Sequence, residues 1–288
     1  MDKFLIVTNR DKDKDLQVTG LIRKYLEDRG ARCRLARPLQ GNDALVTGYT
    51  DALSMKNDIE CVLVLGGDGT LLQTVRDFVG LDIPFAGINL GTTGFLTAID
   101  RDELMSGLNA LLQDRFTIQK RMLLKGQVFR GDEKLQETIA FNDVIVTRSG
   151  YSRLVELKIF VDDHLLDIYA ADGVIVSTPT GSTGYNLSAG GPVVFPETEM
   201  MIITPICPHS LSARSVVVPA GARVVVEVGK RRKTQKEEAM VTYDGQIVWN
   251  LETGDRVQVE RSPVYVPMIR IRENDFCDVL RNKLKNVQ

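Results

Sequence analysis

The chain is poor in the residues that build metal and disulfide frameworks. Its four cysteines, Cys33, Cys61, Cys207 and Cys277, form no CxxC pair, and neither of its two histidines stands at ligand spacing from them. This argues against zinc and against a disulfide scaffold, and it suits a reducing, cytoplasmic setting. Long hydrophobic runs are missing too: nothing approaches the roughly 20 apolar residues of a membrane helix, and FLIV at 4–7 is too short for the core of a signal peptide. An excess of charge of one sign is absent, with 36 Lys and Arg against 38 Asp and Glu and a net charge of -2. No general attraction for nucleic acid or an anionic membrane follows, and neither is expected as a partner. The one dense basic run, KRRK at 230–233, lies between RVVVEV and an acid-bearing TQKEE segment and reads as a solvated hairpin loop. Two common nucleotide signatures, GxxxxGK[ST] and GxGxxG, do not occur.

What is present is a glycine-rich acidic turn. Residues 61–78 read CVLVLGGDGTLLQTVRDF, an apolar run followed by Gly66, Gly67, Asp68, Gly69 and Thr70, and then by Leu71, Leu72, Val75 and Phe78 at helical spacing. Glycines here are expected to allow positive φ and to let an anion approach main-chain N–H groups. The helix predicted over 70–79 would point its N-terminus and dipole at the same place, making a phosphate-handling site with an acid where a lysine is usual. The alternative is a turn in which Asp68 makes only a local Asx hydrogen bond.

The surrounding pattern predicts two domains, as the length allows. Up to about residue 117, strand-like runs at 4–8, 32–36, 61–65 and 83–90 alternate with helical patterns at 16–29, after the glycines, and at 102–112. Such alternation implies a parallel α/β sheet, whose ligands collect at the C-terminal strand ends, where Asp68 and NLGTTG at 89–94 would lie. From 118 to 270 the texture is of short β-rich runs, including TIAFNDVIVTR, RLVELKIFVD, VIVST, MMIIT and SVVVP, which implies an antiparallel sandwich. Residues 271–288 end in a helical pattern expected to return to the first domain.

Two segments of the β-rich part carry chemistry. In DGVIVSTPTGSTGYNLSAGG, at 172–191, small hydroxyls and glycines offer donors while Tyr185 offers a face for a nucleobase; a turn without further role is the plain alternative. Asn142 and Asp143 place an amide and a carboxylate at the start of a strand.

Taken together, GGDGT at 66–70, GINLGTTGFLT at 87–97, FNDVIV at 141–146, the long segment at 172–193 and TPICPHSLSAR at 204–214 resemble, in order and approximate spacing, the bacterial NAD kinases. These enzymes phosphorylate the 2′-hydroxyl of the adenosine ribose of NAD to give NADP. The resemblance implies a Rossmann-like domain followed by a β-sandwich. It also implies Asp68 as the base that takes the ribose proton, with Gly66, Gly67, Gly69 and Thr70 at phosphate. Its NAD contacts fall on Asp68, Gly69, Asn142, Asp143, Arg153, Asp172, Thr183, Gly184, Tyr185, Asn186, Leu187, Ser188 and Gln246. Asp143 would accept from two ribose hydroxyls. A divalent cation, Mg²⁺ or Mn²⁺, with ATP or polyphosphate as donor and a homodimer or homotetramer as the assembly complete the implied set; no metal ligands are assigned.

Chemistry limits the role of Asp68. An ordinary carboxylate is too weak a base to strip a ribose hydroxyl before bond formation, so proton transfer comes late and orienting the oxygen comes first. The chain departs from the family pattern at Gln73 and Ala170, where basic residues are common, and at Gly184, where alanine is frequent. His209 is expected to make a structural hydrogen bond and His164 to be solvated. Two other readings stand beside the first. A lipid kinase sharing GGDGT would carry Asn-Glu directly after GGDGTL, where this chain has Leu72-Gln73; a non-catalytic NADP sensor would most simply have lost Asp68.

Overall fold

The computed structural model describes residues 1–36, 58–91, 94–149, 154–210, 212–230, 238–271 and 276–285. Arg153 and most of the KRRK run lie outside the described residues. The chain divides into two units, Met1–Lys120 with Val266–Gln288, and Arg121–Tyr265. In chain order the described elements begin with β1 (Lys3–Thr8), α1 (Gln17–Glu27), β2 (Arg32–Leu35), β3 (Cys61–Gly66), α2 (Asp68–Phe78), β4 (Phe85–Asn89) and α3 (Leu104–Leu112). They continue with β5 (Thr117–Arg130), β6 (Glu133–Ala140), β7 (Asp143–Arg148), β8 (Val155–Val161), β9 (His164–Ala171), β10 (Gly173–Ser177), α4 (Tyr185–Ser188) and β11 (Met200–Ile206). Last come β12 (Val216–Pro219), β13 (Val224–Val228), β14 (Glu238–Tyr243), β15 (Ile247–Glu252), β16 (Arg256–Arg270) and α5 (Phe276–Lys285).

In the first unit β2, β1, β3 and β4 are parallel neighbours in that order. All six residues of β3 are buried, as a strand covered on both faces requires. The helix α1 buries Thr19, Ile22 and Leu26, one stripe at spacings of three and four, and Asp13 receives the amides of Val18 and Thr19 at 3.1 and 2.9 Å near its start. Because β2 and β3 flank β1 on opposite sides, the chain changes winding direction between β1 and β3, and the crevice at their C-terminal ends is where open α/β sheets take ligands. The C-terminal helix belongs to this unit: the Phe276 ring lies 6.4 Å from that of Phe95, over which Lys283 Nζ sits at 4.4 Å.

The second unit contains an antiparallel sheet ordered β12-β11-β10-β7-β14-β15. Valines from it, such as Val144, Val146, Val174 and Val241, share one core with Val224, Val226, Val257 and Val259 of β13 and β16, two inner faces packed together. Within the β-rich run TIAFNDVIVTR the structure has two strands, β6 and β7, separated at Phe141-Asn142, so that Asp143 opens β7. Thr180–Thr183, expected as a turn, is a 3-10 turn running into the single helical turn α4. Among the described residues no helix is long and apolar enough to cross a membrane.

Candidate active site

The glycine-rich segment differs from its prediction in two ways. First, α2 begins at Asp68 and not at Thr70, with Gly67 as an extended N-cap (φ -131°), so Asp68 is the first helical residue and places its charge at the positive end of the dipole. Second, Gly66, Gly67 and Gly69 do not take positive φ. The reason for glycine is close approach: a Cβ on Gly66 would meet Thr70 Oγ1 at 2.5 Å, and one on Gly67 would stand 3.0 Å from the Lys12 ammonium. At Gly69 the space is open, leaving room over the helix N-terminus.

The Asp68 side chain is not in a local Asx bond. Its two carboxylate oxygens accept the amides of Phe95 at 3.1 Å and Leu96 at 3.2 Å, in the NLGTTGFLT segment after β4. A Cβ on Gly94 would overlap that carboxylate, so the glycine is there to let the acid in. Each oxygen keeps a lone pair for another donor. Asn9, at the end of β1, donates to Thr70 Oγ1 at 3.0 Å, and Lys12 reaches between Gly67 and Gly91. Asn9 and Lys12 were not singled out from sequence; a polar NRDKDK loop directly after a buried strand was the available signal. Gln73 donates to Asp77 one turn along α2 at 3.0 Å.

In the second unit Asn142, Asp143 and the GSTG segment form another cluster. Thr178 donates its amide to Asn142 O at 2.8 Å and its hydroxyl to Phe141 O at 2.8 Å, while Gly181 is so close that a Cβ there would overlap the Asn142 carbonyl. A Cβ on Gly184 would lie 3.6 Å from Asn142 Nδ2 and 3.9 Å from Asp143 Oδ2. The structure therefore brings Gly184, Asn142 and Asp143 together. Two acceptors here, Asn142 Oδ1 and Thr180 Oγ1, are buried without a hydrogen-bond partner, and such atoms call for a ligand or water. Asp143 is itself buried, and burial first, then the Asp244 charge, push its carboxyl up to about 7.

Other predicted residues have separate settings. Tyr185 is 44% exposed. Thr183 and Leu187 are half-buried and Ser188 is exposed. Asn186 is fully buried and its amide is used inside the fold, donating to Ser182 O and Pro192 O and accepting from Thr204 Oγ1. Gln246 is exposed in the β14–β15 turn. Asp172 immediately precedes β10, at the opposite end from Ser177, the register partner of Asp143; five steps at about 3.3 Å put it roughly 16 Å along the strand direction. It accepts from Arg148 Nε at 2.6 Å. His209 donates its main-chain amide to Ala170 O at 2.8 Å while its side chain is exposed, and His164 is exposed.

The chain matches the family profile for the ATP-NAD kinase N-terminal domain over residues 4–116 and that for the C-terminal domain over residues 141–271. It is 42% identical to an NAD kinase of Lachnoclostridium phytofermentans, covering 98% of this chain and 99% of that one. It is 39% identical to an NAD kinase of Lachnospira eligens, covering 99% and 100%. Among solved structures it resembles yeast NADH kinase complexed with NADH, with a TM-score of 0.80 and 25% identity over 99% of this chain and 88% of that one. An NAD kinase of Archaeoglobus fulgidus in complex with ATP shares the fold, with a TM-score of 0.73 and 24% identity over 98% of both chains. With both halves matched in order and relatives aligned from end to end, the chain belongs to the NAD kinase family.

Proposed function

We propose that this NAD kinase moves the γ-phosphoryl group of ATP to the 2′-hydroxyl of the adenosine ribose of NAD, giving NADP and ADP. The observation that carries the assignment of the base is the Asp68 carboxylate, held by two amides at the end of α2 with a lone pair left on each oxygen. Asp68 accepts from the 2′-hydroxyl and orients its oxygen at the γ-phosphorus. As the new O–P bond forms and the bond to ADP breaks, the hydroxyl proton passes to Asp68, because in a loose phosphoryl transition state positioning carries most of the rate and proton transfer is late.

The α2 N-terminus, with Gly66, Gly67, Gly69 and Thr70, supplies amide donors suited to phosphate. Asn142 and Asp143 read a ribose diol, Tyr185 stacks on a base, and Asp172, a strand length from Asp143, serves the other end of an elongated ligand, together with Arg153, Gln246 and the 183–188 segment. For Asn186 the buried side chain leaves the main chain as the contacting group. Among the described residues no three His, Cys, Asp or Glu side chains converge on a metal position, which fits magnesium or manganese carried on the donor's phosphates and not in a protein cage. When bound, that ion neutralises phosphate charge. Polyphosphate as a second donor, assembly as a homodimer or homotetramer, and a cytoplasmic location belong to the same proposal and rest on the family resemblance.

The test is direct. Purified protein with Mg²⁺, NAD or NADH, and ATP or polyphosphate is assayed for NADP(H) with a coupled dehydrogenase. NADP formed from ATP is the expected result, and no product from any pairing overturns the proposal.

A further inference from the structure

We infer that Asp244 is a positioning residue for the dinucleotide site, its carboxylate holding the Asn142–Asp143 bend through three main-chain amides and placing a second charge beside Asp143. The inference rests on the proposed role of that pair in binding NAD.

Asp244 opens the turn after β14 with φ 51°, followed by Gly245 at 65°. Aspartate tolerates this left-handed conformation better than most side chains do. From there its Oδ2 accepts the amide of Phe141 at 2.9 Å, and its Oδ1 accepts those of Asn142 at 2.7 Å and Asp143 at 3.2 Å. Its own amide returns a bond to Asp143 O at 3.0 Å. Three successive amides turned to one carboxylate cannot all serve a sheet ladder, and they fix the chain where it leaves β6, paired with β5, for β7, paired with β10 and β14 in the other sheet. The consequence is local: the bend sets where Asn142 projects, and Asn142 Oδ1 is the buried acceptor left without a partner.

The same carboxylate acts on Asp143 through space. Asp143 is paired in register with Ser177 of β10, and the next residue, Val144, with Tyr243 of β14, a buried phenol that burial pushes up and keeps neutral. Across these neighbours Asp244 is the charge that bears on Asp143, adding to burial to bring its carboxyl to about 7. A ribose diol donates two hydrogens and needs the ionised acceptor. NAD affinity should therefore rise with pH through about 7.

The experiment is NAD titration by calorimetry from acid to alkaline pH, with wild type, Asp244→Asn and Asp244→Ala, alongside kcat, KM and thermal unfolding. Asp244→Asn keeps the shape but cannot accept from three amides. It should weaken NAD at high pH by about 10- to 100-fold, the scale of lost hydrogen bonds to a charged group, with kcat at saturating NAD falling less. Removal of the charge should also move the pH midpoint of affinity below that of wild type. Unchanged affinity, an unmoved midpoint, or loss of the fold in both variants overturns the inference, the last by making Asp244 a residue of the fold alone. Wild-type protein that binds NAD without phosphorylating it overturns the kinase reading only, since the affinity readout needs no turnover. Wild-type protein that does not bind NAD overturns both.

Discussion

Asp68 and Asp143 are the same side chain prepared in opposite ways. Asp68, in the parallel α/β unit, is partly exposed at a helix N-terminus and compensated by two amide donors. Asp143, in the β-rich unit, is 4% exposed, opens a strand and faces a second carboxylate. Asp68 thus meets main-chain donors, whereas burial first and the Asp244 charge second make the Asp143 anion costly. The proposed proton acceptor and the proposed substrate reader differ in their surroundings and not in residue type.

The comparison breaks most readily at Asp68. Asp68→Asn should lower kcat by at least about 10²-fold, the usual scale of a general base, while NAD binding persists. A variant retaining more than about a tenth of wild-type kcat would show that the carboxylate only orients. Next in size is a test of the glycines that admit each acid's surroundings. Gly181→Ala pushes a methyl into the Asn142 carbonyl and should cost about 1–3 kcal/mol in denaturant unfolding as well as weakening NAD, whereas Gly69→Ala, with nothing within 4 Å, should leave the fold intact. Equal unfolding midpoints for the two would refute the close-approach explanation.

Asp143→Asn sharpens the contrast because its two effects have opposite sign. The folded carboxyl lies near 7, above its ordinary value of 3.8, so its contribution to stability is full below that value and is lost as pH rises through about 7. The neutral amide escapes this loss and should be more stable than wild type by up to about 4 kcal/mol near pH 8, with the gain fading toward pH 4. Meanwhile NAD binding weakens, and excess Mg²⁺ should not restore it. Thermal melts across pH and calorimetry with and without Mg²⁺ check both; rescue by Mg²⁺ would make Asp143 a metal ligand. The smallest effect is expected at Tyr185. With its ring 44% exposed, Tyr185→Ala should raise KM for NAD by about fivefold, roughly 1 kcal/mol, and Tyr185→Phe should be nearly silent. Equal damage from both would assign the role to the hydroxyl.

The sequence by itself determined the alternation of strands and helices before residue 117, the β-rich texture after it, and the motifs on which the family assignment rests. These are local signals: the period of apolar residues reports which face is buried, and a run such as CVLVL is legible without its neighbours. Tertiary structure decided what the motif residues touch. Gly66 and Gly181 are needed for close approach and not for positive φ, because Thr70 and the Asn142 carbonyl are packed against them. Asn186 is turned inward by Ser182, Pro192 and Thr204, and Lys12 is brought to Gly67 and Gly91 by the return of β1 beside β3. The bend at Asn142, where the chain passes from one sheet to the other, is held by Asp244, which lies 103 residues from Phe141 in the chain. No periodicity carries such a bond, since it exists only where folding has placed β14 beside β7.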